Sequence, residues 1–313
     1  MSSPSFTKKT LEQNGNKIYC YHSEDSEVEL HILADSAVIS DLKIKGHSLI
    51  SGPKTDDEIA HNSLFKSIYL LPFPNRLKGG KFEFEEEVYQ FSINDKVGQN
   101  ALHGMQIDKP FVLTDETANG SLRLCFEQSY EGDHDSFPFP FTFTVVINLD
   151  RHKCELNLQV QNSGQNSMPI GLGWHPYFTL GDSINDCSLC IPKCKKIEVN
   201  ERLLPTGKKS KFDDYSKPKV IGEEKFDTAF LFEKDADFTS VTLENDEYKL
   251  RYFQETRDQK FSYLQVYTPD DRNSIAIEPM SCNIDGFNNK EGLRVLAPGK
   301  KFKARCGVAF TVK

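Results

Sequence analysis

The sequence predicts an all-β protein, a large antiparallel β-sandwich with very little helix. Three observations carry that prediction. Apolar and polar residues alternate at period two over long stretches, turn-forming residues punctuate those stretches, and helical periodicity is nearly absent. Phe139, Phe141, Phe143, Val145 and Ile147 share one face of a segment whose other face carries Thr142, Thr144 and Asn148. Leu156, Leu158 and Val160 alternate with Glu155, Asn157, Gln159 and Gln161, and Phe302, Ala304, Cys306, Val308, Phe310 and Val312 with Lys303, Arg305 and Thr311. One buried and one wet face per strand is the antiparallel pattern.

Gly79-Gly80, Asn94-Asp95, Asn119-Gly120, Asn162-Ser163-Gly164 and Pro298-Gly299 bound these runs as turns. Helix is expected only as a short segment within Asp56–Phe65 and a single turn at Asn283–Asn288. Leu203–Glu224, rich in Lys, Asp, Pro and Gly, reads as a long surface excursion. No repeat, low-complexity tract or linker divides the chain, so residues 1–313 are expected to form one domain, a size ordinary for a β-sandwich. Two sheets packed face to face would leave function to their rims.

A net charge of −8 argues against nucleic acid as a partner, because phosphate binding wants a basic surface. No apolar run is long enough to cross a bilayer, and Met1–Thr10 lacks the hydrophobic core of a secretory signal. Eight cysteines are scattered along the chain. Cys187, Cys190 and Cys194 are the tightest group, but no second pair follows at zinc-site spacing. They read as structural or free thiols, and with the missing signal they favour a reducing, cytoplasmic setting.

The chemistry concentrates in a few places. Glu278 follows Ile275-Ala276-Ile277 and precedes Pro279, which reads as a carboxylate held at the rim of a buried strand, where it can act as a base. His175 lies in Trp174-His175-Pro176-Tyr177-Phe178, where aromatic rings offer a surface for the apolar face of a sugar and the imidazole a polar handle. His103 precedes Gly104, whose small size lets a ligand or backbone approach; taken alone it reads as a structural histidine before a functional one. Pro72 and Pro74 stiffen the approach to Asn75-Arg76, and a rigid arginine can donate a fork of hydrogen bonds to hydroxyls or pair with a carboxylate. Asp227 opens an apolar run, either as a loop cap or as an acceptor for hydroxyls. Phosphate-loop, dinucleotide-binding, zinc-protease and serine-elbow motifs are all missing.

In order and rough spacing, Asn75-Arg76, Leu102-His103-Gly104, Trp174-His175-Pro176-Tyr177-Phe178, Asp227 and Glu278-Pro279 resemble the aldose 1-epimerases, or galactose mutarotases, from about Asn16 to the C-terminus. The resemblance implies a galactose mutarotase-like sandwich with a sugar cleft on one sheet. It implies Glu278 as general base, His175 as general acid, and Asn75, Arg76, His103 and Asp227 as sugar-binding groups. The chain departs from the better-known members, which carry Thr-His-Thr-Tyr-Phe around the acid, and in Met280-Ser281-Cys282-Asn283 after the base. In this it is similar to a less studied bacterial branch. The expected reaction is interconversion of α- and β-anomers of free aldohexoses with neither metal nor other cofactor. The expected partner is a small aldose sugar, the expected assembly a monomer or homodimer. Three rivals remain: a hexose-6-phosphate mutarotase using Lys78 and Lys81, a non-catalytic carbohydrate-binding protein, and a metal triad of His103, His175 and Glu278.

Overall fold

The computed structural model describes residues 4–313 apart from 106, 108, 234 and 235. Two large sheets dominate it, and every pairing between named strands is antiparallel. In one sheet an N-terminal run of five strands from Phe6 to Ser51 continues through Tyr177–Phe178, Ile275–Met280, Tyr263–Tyr267, Asp227–Leu231 and Cys194–Val199 to Pro205–Phe212. The other sheet joins Val112–Thr117, Leu122–Tyr130, Phe141–Leu149, Lys153–Asn162, Lys301–Val312, Tyr248–Glu255, Phe238–Glu244, Ser188–Cys190 and Lys219–Val220. This is the sandwich that the alternating sequence predicts.

Period two decides what each strand does. In Phe141–Leu149, Phe143, Val145 and Ile147 are fully buried between the sheets. They meet the inward residues of the other sheet, among them Ile32, Ile50, Leu264 and Ile277, in one continuous core. Each such side chain contributes roughly 1.5–3 kcal/mol on burial. In Ile275–Met280, Ile275 and Ile277 enter that core, and Glu278 therefore points to the opposite face.

Several sequence expectations change in detail. The helix runs Asp56–His61 and stops at Asn62, whose left-handed backbone ends it before Phe65. The later turn is Gly286–Asn289. Leu203–Glu224 is not irregular throughout: Pro205–Phe212 is the outermost strand of the larger sheet, with mostly exposed side chains, and Lys219–Val220 ends the other sheet. Charge-rich composition there marks edge strands, where lysines discourage pairing with other chains. Cys187, Cys190 and Cys194 form no cluster. All eight cysteines are free, and Cys187 Sγ lies 3.8 Å from Leu180 O.

Candidate active site

Glu278 sits in the middle of an inner strand, not at a rim as its proline neighbour suggested. All six residues of Ile275–Met280 are buried, and Glu278 is only 1% exposed. The neighbouring chain explains how Pro279 fits. It pairs as Gly173–Trp174 and again as Tyr177–Phe178, with a break between. The Ile277 N–H reaches Pro176 O at 3.3 Å across this break. Alternation turns the nitrogen of Pro279 to the same interrupted side, where its missing N–H forfeits no ladder bond.

The break also frees His175 from the ladder. Its N–H donates to Ile68 O at 3.0 Å, and its ring meets Glu278, with Nε2 and Oε1 3.4 Å apart. Tyr177 stacks on the imidazole at 5.1 Å, and the His103 ring stands edge-on at 5.0 Å. Trp174 and Phe178 do not form the sugar-stacking surface expected of them. Both are fully buried, and Trp174 Nε1 donates to Ser67 O at 3.2 Å. Of the rings expected there Tyr177 does line the cleft, joined by Tyr267 and Phe65.

The remaining predicted residues converge on the same cleft. Asn75 Oδ1 accepts from the Arg76 N–H at 2.8 Å, and Asn75 Nδ2 donates to Gln265 Oε1 at 3.2 Å. Gln265, the direct cross-strand partner of Glu278, donates through Nε2 to Asp227 Oδ1 at 2.6 Å. Arg76 Nε donates to Asp95 Oδ2 at 3.0 Å, and Asp95 itself accepts from the Gly98 N–H and from Asn100. The glycine after His103 serves the backbone rather than a ligand, because a Cβ on Gly104 would lie 1.8 Å from Leu71 O.

Sequence reasoning missed Gln265, Asp95 and Phe65. A signal existed for Gln265: it is a lone amide in Tyr263-Leu264-Gln265-Val266-Tyr267, on the face opposite Leu264 and Val266. Asp95 and Phe65 carry no local mark. Lys78 and Lys81 do not line the cleft.

The electrostatics follow from burial. Burial holds the Glu278 carboxyl well above the usual carboxylate range; Asp227 adds to this and Arg76 opposes it. Burial brings His175 down to about 3. His103 is lowered well below a normal histidine by burial, then by His175 and Arg76. Burial thus favours the neutral form of both groups, with the proton on Glu278. His175 Nδ1 and Glu278 Oε2 are buried and have no hydrogen-bond partner among the described residues.

His103, His175 and Glu278 offer ligand atoms within 4.8 Å of one another, the geometry of a metal triad. The donor set does not fit one. The Asn75 N–H donates to His103 Nδ1 at 3.2 Å, so Nδ1 carries a lone pair and the proton of the neutral ring sits on Nε2. A metal-bound histidine has the reverse arrangement, with its second nitrogen donating. His103 Nε2 is a hydrogen-bond donor.

The cleft encloses about 190 Å³, less than the roughly 300–1,000 Å³ of sites for drug-sized ligands. It is the size of one small polar ring. An antiparallel sandwich with such a cleft, floored by a carboxylate–imidazole pair and ringed by amides and an arginine, belongs to the galactose mutarotase-like proteins. The family model for aldose 1-epimerase matches residues 21–309, and the chain belongs to that family.

The chain is 27% identical over 276 residues to YihR, an uncharacterised protein of Escherichia coli K12, covering 86% of each. It is 25% identical to the bifunctional protein GAL10 of Kluyveromyces lactis, over 82% of this chain and 41% of that one. A solved galactose mutarotase-like protein from Clostridium acetobutylicum superposes with a TM-score of 0.87 at 20% identity, covering 99% of both chains. Galactose 1-epimerase from Lactobacillus acidophilus gives 0.81 at 16%, covering 100% of this chain and 99% of that one. At these identities the likeness is one of fold.

Proposed function

We propose that the protein is an aldose 1-epimerase that interconverts the α- and β-anomers of a free aldohexose, with Glu278 as base and His175 as acid. The observation that carries this reading is the 3.4 Å approach of a buried carboxylate and a buried imidazole in a ring-sized cleft. Glu278 takes the proton of the C1 hydroxyl as His175 delivers one to the ring oxygen. The C1–O5 bond breaks, C1 becomes an aldehyde, and rotation about C1–C2 exposes its other face. Closure returns both protons, so atoms and charge balance. Arg76, Asn75 and the Nε2–H of His103 donate to the sugar, while Asp227 accepts from it.

Burial favours the proton on Glu278, and this suits the reaction. The resting pair is neutral and inexpensive to bury, and one proton shift creates the carboxylate and imidazolium that the sugar meets. A 6-phosphate finds no support, since the lysines proposed for it lie outside the cleft. A purely binding protein would gain nothing from a buried ionisable pair.

Positioned acid–base catalysis is worth roughly 10²–10⁴-fold. Polarimetry on freshly dissolved α-D-glucose and α-D-galactose should show accelerated mutarotation. Glu278→Gln should lose at least about 10²-fold in kcat while retaining sugar binding. Near-normal rates in that variant would refute the assignment.

A further inference from the structure

Arg76 lines the cleft from a short antiparallel ladder, Arg76–Lys78 against Asn100–Leu102, and the turn that leads into this ladder is built around its side chain. Asp95 and Asn100 close the turn by exchanging backbone hydrogen bonds at 3.1 and 3.3 Å. Within it Asp95 Oδ2 accepts from Arg76 Nε at 3.0 Å and from Asn100 Nδ2 at 3.2 Å. Asp95 Oδ1 accepts from the Gly98 N–H at 3.0 Å. Burial would raise the Asp95 carboxyl, but these bonds hold it below the usual carboxylate range, as a fixed anion. Engagement through Nε sets the plane of the Arg76 guanidinium, whose Nη1 donates to Asn75 Oδ1 at 3.3 Å. The turn has no room for a side chain at 98: a Cβ there would clash with Asp95 Oδ2 and lie 2.5 Å from Asn100 Nδ2.

A second arginine grips this turn from outside. Arg202 lies between Cys194–Val199 and Pro205–Phe212, the last two strands at one edge of the larger sheet. Its Nε donates to Gly98 O at 2.8 Å, and its Nη2 to Gln99 O at 2.9 Å and Asn100 Oδ1 at 3.3 Å. Asn100 Nδ2 returns a bond to Arg202 O at 3.1 Å. Three successive residues are thus held by one planar fork, a geometry that a lysine ammonium does not offer. Arg202 is itself placed by Asn200, whose Oδ1 accepts from the N–H groups of Arg202 at 2.9 Å and Leu204 at 3.1 Å. The Arg202 side chain is exposed and does not line the cleft. Its acceptors are backbone and amide oxygens, so what it fixes is the shape of the turn.

We propose that Arg202 is a positioning residue for the sugar site. By holding residues 98–100 it keeps Asp95 against Arg76, and so fixes the guanidinium that donates to the sugar. The proposal rests on the epimerase reading and adds to it a residue from outside the cleft. Glu278 is held separately, by the ladder of Ile275–Met280 with Tyr263–Tyr267, and the His175 N–H by Ile68 O. Arg202 therefore governs how tightly the sugar is held and not the proton transfer. A contact made equally to sugar and transition state changes KM and leaves kcat alone.

The test follows mutarotation of α-D-glucose and α-D-galactose by the full chain and its variants. Arg202→Met keeps the aliphatic stem and loses the fork. It should raise KM about three- to tenfold, the effect of roughly one hydrogen bond, with kcat within about twofold. Gly98→Ala should do the same from inside the turn; Arg202→Met, at an exposed position, covers the case in which the alanine variant fails to fold. The deciding measurement is a double-mutant cycle with Arg76→Met, read as kcat/KM from the slope at low sugar concentration. With Arg76 removed, Arg202→Met should change kcat/KM by less than about twofold, because the group it positions is gone. A loss of the same size in both backgrounds would mean that Arg202 supports the fold at large, and would overturn the proposal. So would a normal KM in Arg202→Met, or a fall in kcat at unchanged KM. Failure of the native chain to accelerate either sugar would instead overturn the epimerase reading, and the positioning role with it.

Discussion

At the scale of single residues, Glu278 shows what a reactive group costs the fold. Its folded-state proton affinity is raised by burial, so between the unfolded carboxylate value and the raised folded value the native chain holds a proton that the unfolded chain has lost. Stability therefore falls as pH rises through that window and is unaffected below it. Glu278→Gln keeps the shape and removes the titration. It should raise Tm by at least about 2 °C at pH 8 relative to the native protein, and the difference should vanish near pH 4. Thermal melts across pH decide this; a variant less stable at every pH would mean that the carboxylate is ionised and well paired in the native state. The sequence displayed Glu278 and His175 because each is a polar residue in starkly apolar company. Gln265 and Asp95 escaped notice because an amide in a strand or an aspartate in a turn becomes functional only through a partner far away in sequence. Gln265 reaches Asn75, and Asp95 holds Arg76.

At the scale of elements, a small helix governs the roof of the cleft. Thr55 and Glu58 form a reciprocal capping box, with the Glu58 N–H donating to Thr55 Oγ1 at 3.2 Å and the Thr55 N–H to Glu58 Oε2 at 3.2 Å. Burial alone would raise Glu58, but its bonds from Lys66 and from the amides of Lys54 and Thr55 bring it down to about 2. Beyond the helix Asn62 Oδ1 accepts from the Lys66 N–H, and Tyr177 Oη donates to Leu64 O at 3.0 Å. These ties hold Phe65 in a left-handed backbone conformation with its ring 4.8 Å from that of His103. The sequence foretold a short helix here but not its purpose, because what matters is where the chain goes after the helix stops. Losing a capping side chain costs about 1 kcal/mol. Thr55→Ala should therefore raise KM for the sugar, by at most about fivefold, with kcat nearly unchanged. An unaltered KM would show that the ties to Tyr177 and Lys66 suffice to place Phe65.

At the scale of the whole molecule, the larger sheet is used on both faces, and this division explains which parts of the protein were readable in advance. The inward face of each strand repeats a rule that sequence states openly, alternating apolar residues against a second sheet. The outer face near Glu278 follows the same alternation but fills it with Glu278, Gln265 and Asp227, whose meaning depends on strand order, and strand order is not written in period two. Fold and function are therefore separable by face. Ile277 is fully buried and points into the core, one residue from Glu278, the proposed base. Ile277→Ala removes core contacts and leaves a cavity, at a cost of about 2–5 kcal/mol. For a chain of this length each kcal/mol lowers Tm by roughly 2–4 °C, so a fall on the order of 10 °C is expected. Below the transition the variant should keep kcat within about threefold, because Glu278 remains fixed by the ladder to Gln265. A collapse of kcat of at least about 10²-fold in protein still folded by circular dichroism would show that the packing between the sheets sets the approach of Glu278 to His175, and the separation of faces would fail.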